Sequence, residues 1–216
     1  MPVQLYGYQY SVYAWIAHLA LRAKGVGCEW MEVNPFAEHV PADYLAMHPF
    51  GRVPTLVNGD FVLFETGAIT RYVDEAFEGP SLQPVKPEDR ARVNQIISVV
   101  DSYAYRPLVR QVFSHGVFRP RLGHPADPRE YQRGIEAAPL VLRALDRLAG
   151  GSGVLVADSL SLADIHLAPM IAYFASDPGG EALLKQYDRL SARWSAMSVE
   201  THVVATRPAL PEPLNS

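Results

Sequence analysis

The stretch Val53-Pro54-Thr55-Leu56-Val57-Asn58-Gly59-Asp60-Phe61-Val62-Leu63-Phe64 decides the fold. Two short apolar runs, Thr55–Val57 and Phe61–Phe64, flank Asn58-Gly59, whose residues both tolerate positive φ, so the segment reads as a β-hairpin. A proline ahead of the first run can occupy only the start or edge of a strand. It also holds Val53 extended, which leaves the Val53 N–H and C=O free to pair with a peptide-like ligand added as a strand. An ordinary X-Pro turn into a hairpin accounts for the same residues.

Working outward, Val3–Tyr8 alternates as a short strand. Val12, Trp15, Ile16, Leu19, Ala20 and Ala23 then recur at helical spacing, and Gly25 stops that helix. Glu29–Val33 reads as a second strand and Glu38–Met47 as a short helix. Beyond the hairpin, Ile69, Tyr72, Val73 and Phe77 share a helix face. The order βαβ-α-ββ-α implies one four-stranded mixed sheet with helices on its faces. Residues 79–86, bounded by Glu78 and Pro87, carry Gly79, Pro80 and Pro84, which cannot continue a helix, and read as a linker. After it, Arg90–Phe113, Arg129–Leu148, Ser161–Ala175 and Glu181–Met197 each read as a helix with an apolar stripe, the first bent at Pro107. Ser161 and Asp164 make a capping-box start, with Leu160 and Ile165 placed to staple it. The expected architecture is an α/β domain over 1–78 joined to an all-helical domain over 87–216.

Composition bounds the function. The chain has 216 residues, 49% hydrophobic and 19% charged, which supplies a core and excludes disorder. A net charge of −4 argues against nucleic acid as the main partner, because phosphate binding wants a basic face. Residues 1–78 hold four Lys or Arg against nine Asp or Glu; residues 79–216 hold fifteen against fourteen. The Arg-rich second part reads as a solvated face with internal pairing. A single cysteine, Cys28, forbids an intrachain disulfide, excludes a multi-Cys zinc site and fits a reducing compartment. His115, His124, His166 and His202 show no ligand spacing, so no metal is expected. No leader pattern and no run of 18 uncharged apolar residues occurs, so an intracellular globular protein without membrane spans is expected.

Three sites draw attention. Ser11 caps the first helix; that alone accounts for it, yet the hydroxyl and the helix N-terminus both suit an anion. Glu65-Thr66 lies between a strand and a helix, with Thr66 reading as the N-cap. The same pair suits a ligand carrying a carboxylate and an ammonium group. With Val53, these sites fit a small zwitterionic peptide.

These residues resemble a family. Ser11 followed by Leu19-Ala20-Leu21 and Gly25, then Pro49-Phe50-Gly51-Arg52-Val53-Pro54, Leu63-Phe64-Glu65-Thr66-Gly67-Ala68-Ile69 and Leu162-Ala163-Asp164, are similar to the cytosolic glutathione transferases. Within that family they are most similar to the phi-like serine-type enzymes, His39 included. The resemblance implies a thioredoxin-like first domain and glutathione as co-substrate. Ser11 would donate to the glutathione sulfur, and Val53, held by a cis Pro54, would pair with the cysteinyl backbone. Glu65 and Thr66 would take the γ-glutamyl group, and His39 and Arg52 the glycyl end. A small hydrophobic electrophile would meet Tyr13, Phe36, Tyr103, Arg106, Arg110 and Phe118. The resemblance further implies a cytoplasmic homodimer with a detoxification role. Val40 stands where the family commonly has lysine, Arg52 where it has lysine or glutamine, and His48 where it has asparagine. Tyrosine-type relatives use a strand-one tyrosine as donor. Counting back from Leu19-Ala20-Leu21 puts that position on Gly7, while a slip of one residue brings in Tyr6 or Tyr8, with Tyr10 also close to Ser11. Two alternatives share these residues: a glutathione-dependent isomerase or dehalogenase, and a non-catalytic binding module.

Overall fold

The computed structural model describes residues 2–149 and 160–212. They fall into two compact units, one built on Met1–Leu82 with Ala205–Pro208 and the other on Gln83–Val204 with the residues from Ala209.

The first unit holds β1 (Val3–Gly7), α1 (Val12–Ala23), β2 (Cys28–Glu32), α2 (Ala42–Met47), β3 (Thr55–Asn58), β4 (Phe61–Phe64) and α3 (Thr66–Ala76). The expected four-stranded mixed sheet forms, in the order β2-β1-β3-β4. β1 runs parallel to β2 and antiparallel to β3, which pairs with β4 through the Asn58-Gly59 turn, Gly59 taking φ 62°. β2 begins one residue before its sequence reading and ends one before it. α2 starts only at Ala42, because Pro41 occupies its cap and residues ahead of it turn back as a loop.

Register places the chemistry. Gly7 pairs with Glu32, Tyr6 with Thr55, and Thr55 with Phe64. The ends of β1, β2 and β4 and the start of β3 therefore share one edge of the sheet. The segments carrying Ser11, Val53-Pro54 and Glu65 all leave from that edge. Behind it, α1 buries Trp15, Ile16, Leu19 and Leu21 and packs on α3 through Ile69 and Val73, all at most 2% exposed.

A buried ion pair closes the unit. Lys24, the C-cap of α1, puts its Nζ 3.2 Å from Asp74 Oδ1 and 3.0 Å from the Pro80 carbonyl, and the Leu82 N–H donates to the same Asp74 oxygen at 2.7 Å. Gly79, at φ 119°, lies so close that a Cβ there would sit 2.7 Å from the Lys24 carbonyl oxygen. Side chains 3% and 5% exposed make this a pair whose loss leaves an uncompensated charge.

The second unit is helical: α4 (Pro87–Val99), a π-wound continuation over Val100–Phe118, a turn at Arg119–Arg121, then α5 (Pro128–Leu148), α6 (Leu162–Phe174), α7 (Pro178–Leu184), α8 (Asp188–Ser198) and the start of α9 (Thr201–Thr206), whose last residues, Ala205 and Thr206, count with the first unit. Pro107 lies inside the π-wound stretch, where it has no N–H for a regular helical bond and its ring crowds the preceding turn. α5 reaches this stretch at Gly134, where a Cβ would come within 2.7 Å of Gln111 Cβ. The capping box of α6 is present, with the Ser161 N–H donating to Asp164 Oδ2 at 2.9 Å and Arg193 Nε to Asp164 Oδ1 at 2.8 Å.

Two readings of this half are corrected. α6 has no stripe, since every residue from Leu162 to Phe174 is buried; a helix wrapped by neighbours needs no polar face. The single helix expected over Glu181–Met197 is two, α7 and α8, separated at Lys185–Tyr187. The apolar spacing survives the break, so periodicity alone reads through it. Among the described residues no helix is long and apolar enough to cross a membrane.

Replacing Lys24 with Met should cost about 3–5 kcal/mol of unfolding free energy, because Asp74 stays buried without its cation. Lys185→Met, which breaks the exposed pair with Glu181 at 2.7 Å, should cost less than about 0.5 kcal/mol. Urea denaturation of both variants reads the contrast; equal losses would show that the Lys24–Asp74 pair does not close the unit.

Candidate active site

Ser11 reaches the sheet edge on a four-residue turn. Gly7 ends β1 tightly packed: a Cβ there would lie 2.5 Å from Trp30 Cη2 and 2.9 Å from Ala14 Cβ. The Ser11 N–H donates to the Tyr8 carbonyl at 2.7 Å, which folds the turn back and starts α1. Ser11 takes extended φ and ψ, and its Oγ accepts from the Ala14 N–H at 3.2 Å. A hydroxyl has one proton to give and two lone pairs to receive with. The capping bond uses only a lone pair, so the proton stays available to a ligand. The capping role and the donor role of Ser11 are therefore compatible.

The tyrosines around it are placed differently. The Tyr6 hydroxyl faces Gln4 Oε1 at 3.4 Å, and its ring lies 5.8 Å from that of Tyr44. Tyr8 packs edge-on against Tyr10 at 5.5 Å and Phe36 at 5.9 Å. Burial, then the neighbouring Tyr10 and Glu32, raise the Tyr8 phenol above its ordinary value. A phenol so shifted is a weaker donor to an anion.

The Val53-Pro54 peptide is cis, with Pro54 buried. Val53 makes no hydrogen bond to another described residue, so its backbone N–H and C=O stay open at the sheet edge. Sequence reasoning missed what braces this loop. Tyr44, 2% exposed, donates its hydroxyl to the Arg52 carbonyl and lies 3.0 Å from Thr55 Oγ1. A lone buried tyrosine on a six-residue helix was the only signal. Arg52 itself is exposed, as is His39 in the loop before α2.

Glu65 differs from its reading. It precedes α3 at φ 73°, ψ 116°, a left-handed backbone that costs a non-glycine residue about 1–3 kcal/mol. Its carbonyl accepts from the Ala68 and Ile69 N–H groups, so Glu65 holds the cap position and Thr66, buried, is the first helical residue. The bend turns the Glu65 side chain to solvent and leaves the Thr66 and Gly67 N–H groups at the open, positive end of α3.

His48 lies beneath this corner. It is 2% exposed, its ring stacks on Phe64 at 4.6 Å and meets Phe50 edge-on at 6.1 Å, and its Nδ1 has no hydrogen-bond partner. Burial lowers its pKa; the nearby Glu65 carboxylate opposes that and the Arg52 guanidinium adds to it.

Of the other residues singled out, Tyr13 is half-buried on the first turn of α1 and Phe36 is 66% exposed beside Tyr8. In the helical unit, Tyr103, 65% exposed, and the exposed Arg106 and Arg110 lie on the π-wound stretch. Phe118 stacks 5.8 Å from Phe113, which lies 4.1 Å from Tyr173 and nearly parallel to it. Cys28 is half-buried at the start of β2, and burial raises its thiol pKa. Among the described residues no three His, Cys, Asp or Glu side chains are placed to hold a metal.

Comparison with known proteins identifies the family. The family model described as glutathione S-transferase, N-terminal domain, matches residues 1–75, and the C-terminal domain model matches residues 128–192. Glutathione S-transferase F10 of Arabidopsis thaliana is 33% identical over 185 residues, covering 84% of this chain and 86% of that protein. The solved structure of glutathione S-transferase III in apo form superposes with a TM-score of 0.86 at 28% identity, covering all of both chains. That of glutathione S-transferase I bound with lactoylglutathione gives 0.84 at 27% identity, covering 96% of this chain and 99% of that one. The chain belongs to the glutathione S-transferase family. It is an enzyme of that family, similar to the plant phi-type members, as its motifs implied.

The buried His48 makes stability depend on pH. Its folded pKa lies below the ordinary 6.5, so the unfolded chain binds the proton first and stability falls as pH drops below that value. His48→Phe keeps the stack and removes the orphaned nitrogen. Its Tm should fall less than the wild type's between about pH 7.5 and 5.5, with the remaining slope carried by His18 and His115, whose pKa values are also lowered. Parallel curves from the two proteins would show that His48 does not set this slope.

Proposed function

We propose that glutathione lies along the sheet edge as an added strand and that the Ser11 hydroxyl stabilises its thiolate. The observation that carries this reading is the Ser11 geometry: an oxygen bonded to Ala14 N, a free proton, and a helix N-terminus behind it. Three features support the placement of the peptide. The open Val53 backbone suits the cysteinyl unit. Glu65 and the start of α3 suit the ammonium and carboxylate of the γ-glutamyl group. Arg52 and His39 suit the glycyl carboxylate, Arg52 with a fork that matches a carboxylate's two oxygens.

A free thiol with a pKa of about 8.5 is only about 3% thiolate at pH 7. Lowering that pKa by about two units requires about 2.7 kcal/mol of preference for the anion. One hydrogen bond to a charged group supplies about 1.5–3 kcal/mol, and a helix N-terminus adds up to about 1. The sum suffices with Ser11 un-ionised. The thiol proton goes to solvent, and the sulfur lone pair forms the new bond to an electrophilic carbon as that carbon's leaving group departs to solvent with its bonding electron pair. Tyr13 and Phe36, with Tyr8 and Tyr10, offer an aromatic surface in the first unit for a small hydrophobic electrophile. We assign Tyr103, Arg106, Arg110 and Phe118 to electrophile contact on the family resemblance. A cytoplasmic homodimer is proposed on the same ground, with Phe50, 69% exposed, as an anchor. A light-scattering mass equal to one chain at micromolar concentration would reject the dimer.

Ser11→Ala removes the hydroxyl and keeps Val53, Glu65 and Arg52. The bound thiol pKa should rise by about one to two units and turnover at pH 6.5 should fall at least about tenfold, while glutathione affinity changes little. The deficit should shrink as pH rises, since thiolate then forms unaided. Tyr6→Phe, Tyr8→Phe and Tyr10→Phe should leave the pH profile in place. If Ser11→Ala keeps the low pKa and one tyrosine variant loses it, that tyrosine is the donor.

A further inference from the structure

We propose that Glu32 is a positioning residue for this reaction: its carboxylate holds the turn Tyr8–Ser11 and so sets the direction of the Ser11 hydroxyl. The inference rests on the reading of Ser11 as thiolate donor. Within its own backbone the turn is tied by the Ser11 N–H to Tyr8 carbonyl bond. Its Gln9 N–H points away from the turn and donates to Glu32 Oε1 at 3.1 Å. The second carboxylate oxygen, Oε2, accepts from the Trp30 indole at 2.8 Å, so the group is gripped on both sides.

The grip is anchored in the sheet. Glu32 pairs with Gly7 in register, and the next residue, Val33, donates its N–H to the Gly7 carbonyl at 2.8 Å. The Trp30 ring that orients the carboxylate covers Gly7 and lies 5.7 Å from the His18 ring of α1. One side chain thus connects the strand end, the turn and, through Trp30, the helix that Ser11 starts. Catalysis is sensitive to such placement, where a shift of about 1 Å in a reacting group can cost about a hundredfold. Glu32 also brings an unfavourable charge: it is an anion near a turn that must host a thiolate, and it raises Tyr8 as Tyr10 does. A neutral acceptor would hold the turn without opposing the thiolate, and this separates position from charge.

The experiment measures kcat, KM for glutathione and the bound-thiol pKa by ultraviolet difference absorbance, on the full-length enzyme. Glu32→Ala should lower kcat about tenfold at pH 6.5 and raise the bound-thiol pKa by about one unit, with KM within about twofold. Glu32→Gln keeps one acceptor oxygen for the Gln9 N–H, sets an amide N–H against the Trp30 indole and loses the charge; its kcat should lie between those of the wild type and Glu32→Ala, with a bound-thiol pKa below that of Glu32→Ala. Trp30→Phe, which frees the carboxylate on one side, should move in the direction of Glu32→Ala and less far, and it decides the matter if Glu32→Ala does not fold. A folded Glu32→Ala enzyme with unchanged kcat and thiol pKa, beside a Ser11→Ala enzyme that has lost both, overturns the Glu32 proposal alone. If Ser11→Ala leaves the thiol pKa unmoved, the serine reading falls and this proposal with it.

Discussion

The missing side chain at Gly7 is the constraint on which the active edge depends. β1 is the strand that both β2 and β3 pair with, and its last residue is pressed between Trp30 and Ala14. Any Cβ there would force the first turn of α1 away from the sheet. Because it is absent, α1 begins directly over the strand end and its N-terminus opens toward the end of the sheet where β3 starts. The same crowding leaves Gly7, the position reached by counting back from Leu19-Ala20-Leu21, without room even for a methyl group.

From that constraint the division of labour follows. The sheet supplies alignment, since its register brings the starts and ends of four strands to one edge. Side chains hold the irregular backbone there: Tyr44 at the Arg52 carbonyl, Glu32 of β2 at the Gln9 amide, and the buried stack of His48 on Phe64 beneath Glu65. Each irregular segment has a polar or aromatic brace from another element. The strained Glu65 backbone is tolerated because β4 and α3 fix both of its neighbours.

The legible and illegible parts separate by range of interaction. Asn58-Gly59 carries its turn in its own residue types, so the hairpin could be read, as could the α1 stripe and the capping box at Ser161. The left-handed Glu65 could not, because glutamate has no preference for that region and only tertiary packing holds it there; Thr66 therefore looked like the cap. The break between α7 and α8 carries no glycine or proline, and the apolar spacing runs across it. Tyr44 and Glu32 were invisible for another reason. Each acts on the main chain of a residue distant in sequence, and no local pattern encodes such a contact. For the second domain, burial of α6 on every side erased the stripe that a lone helix would have shown.

The first unit is not contiguous in the chain. Its last piece, Ala205–Pro208, includes Thr206, whose Oγ1 accepts the buried Trp15 indole N–H at 3.0 Å. During synthesis the thioredoxin-like part leaves the ribosome first, yet Trp15 waits for its partner until nearly the whole chain has been made. A nascent or truncated first unit would lack the Thr206 hydroxyl that accepts this indole N–H in the finished fold. The order of translation thus makes the helical half a prerequisite for finishing the half that precedes it.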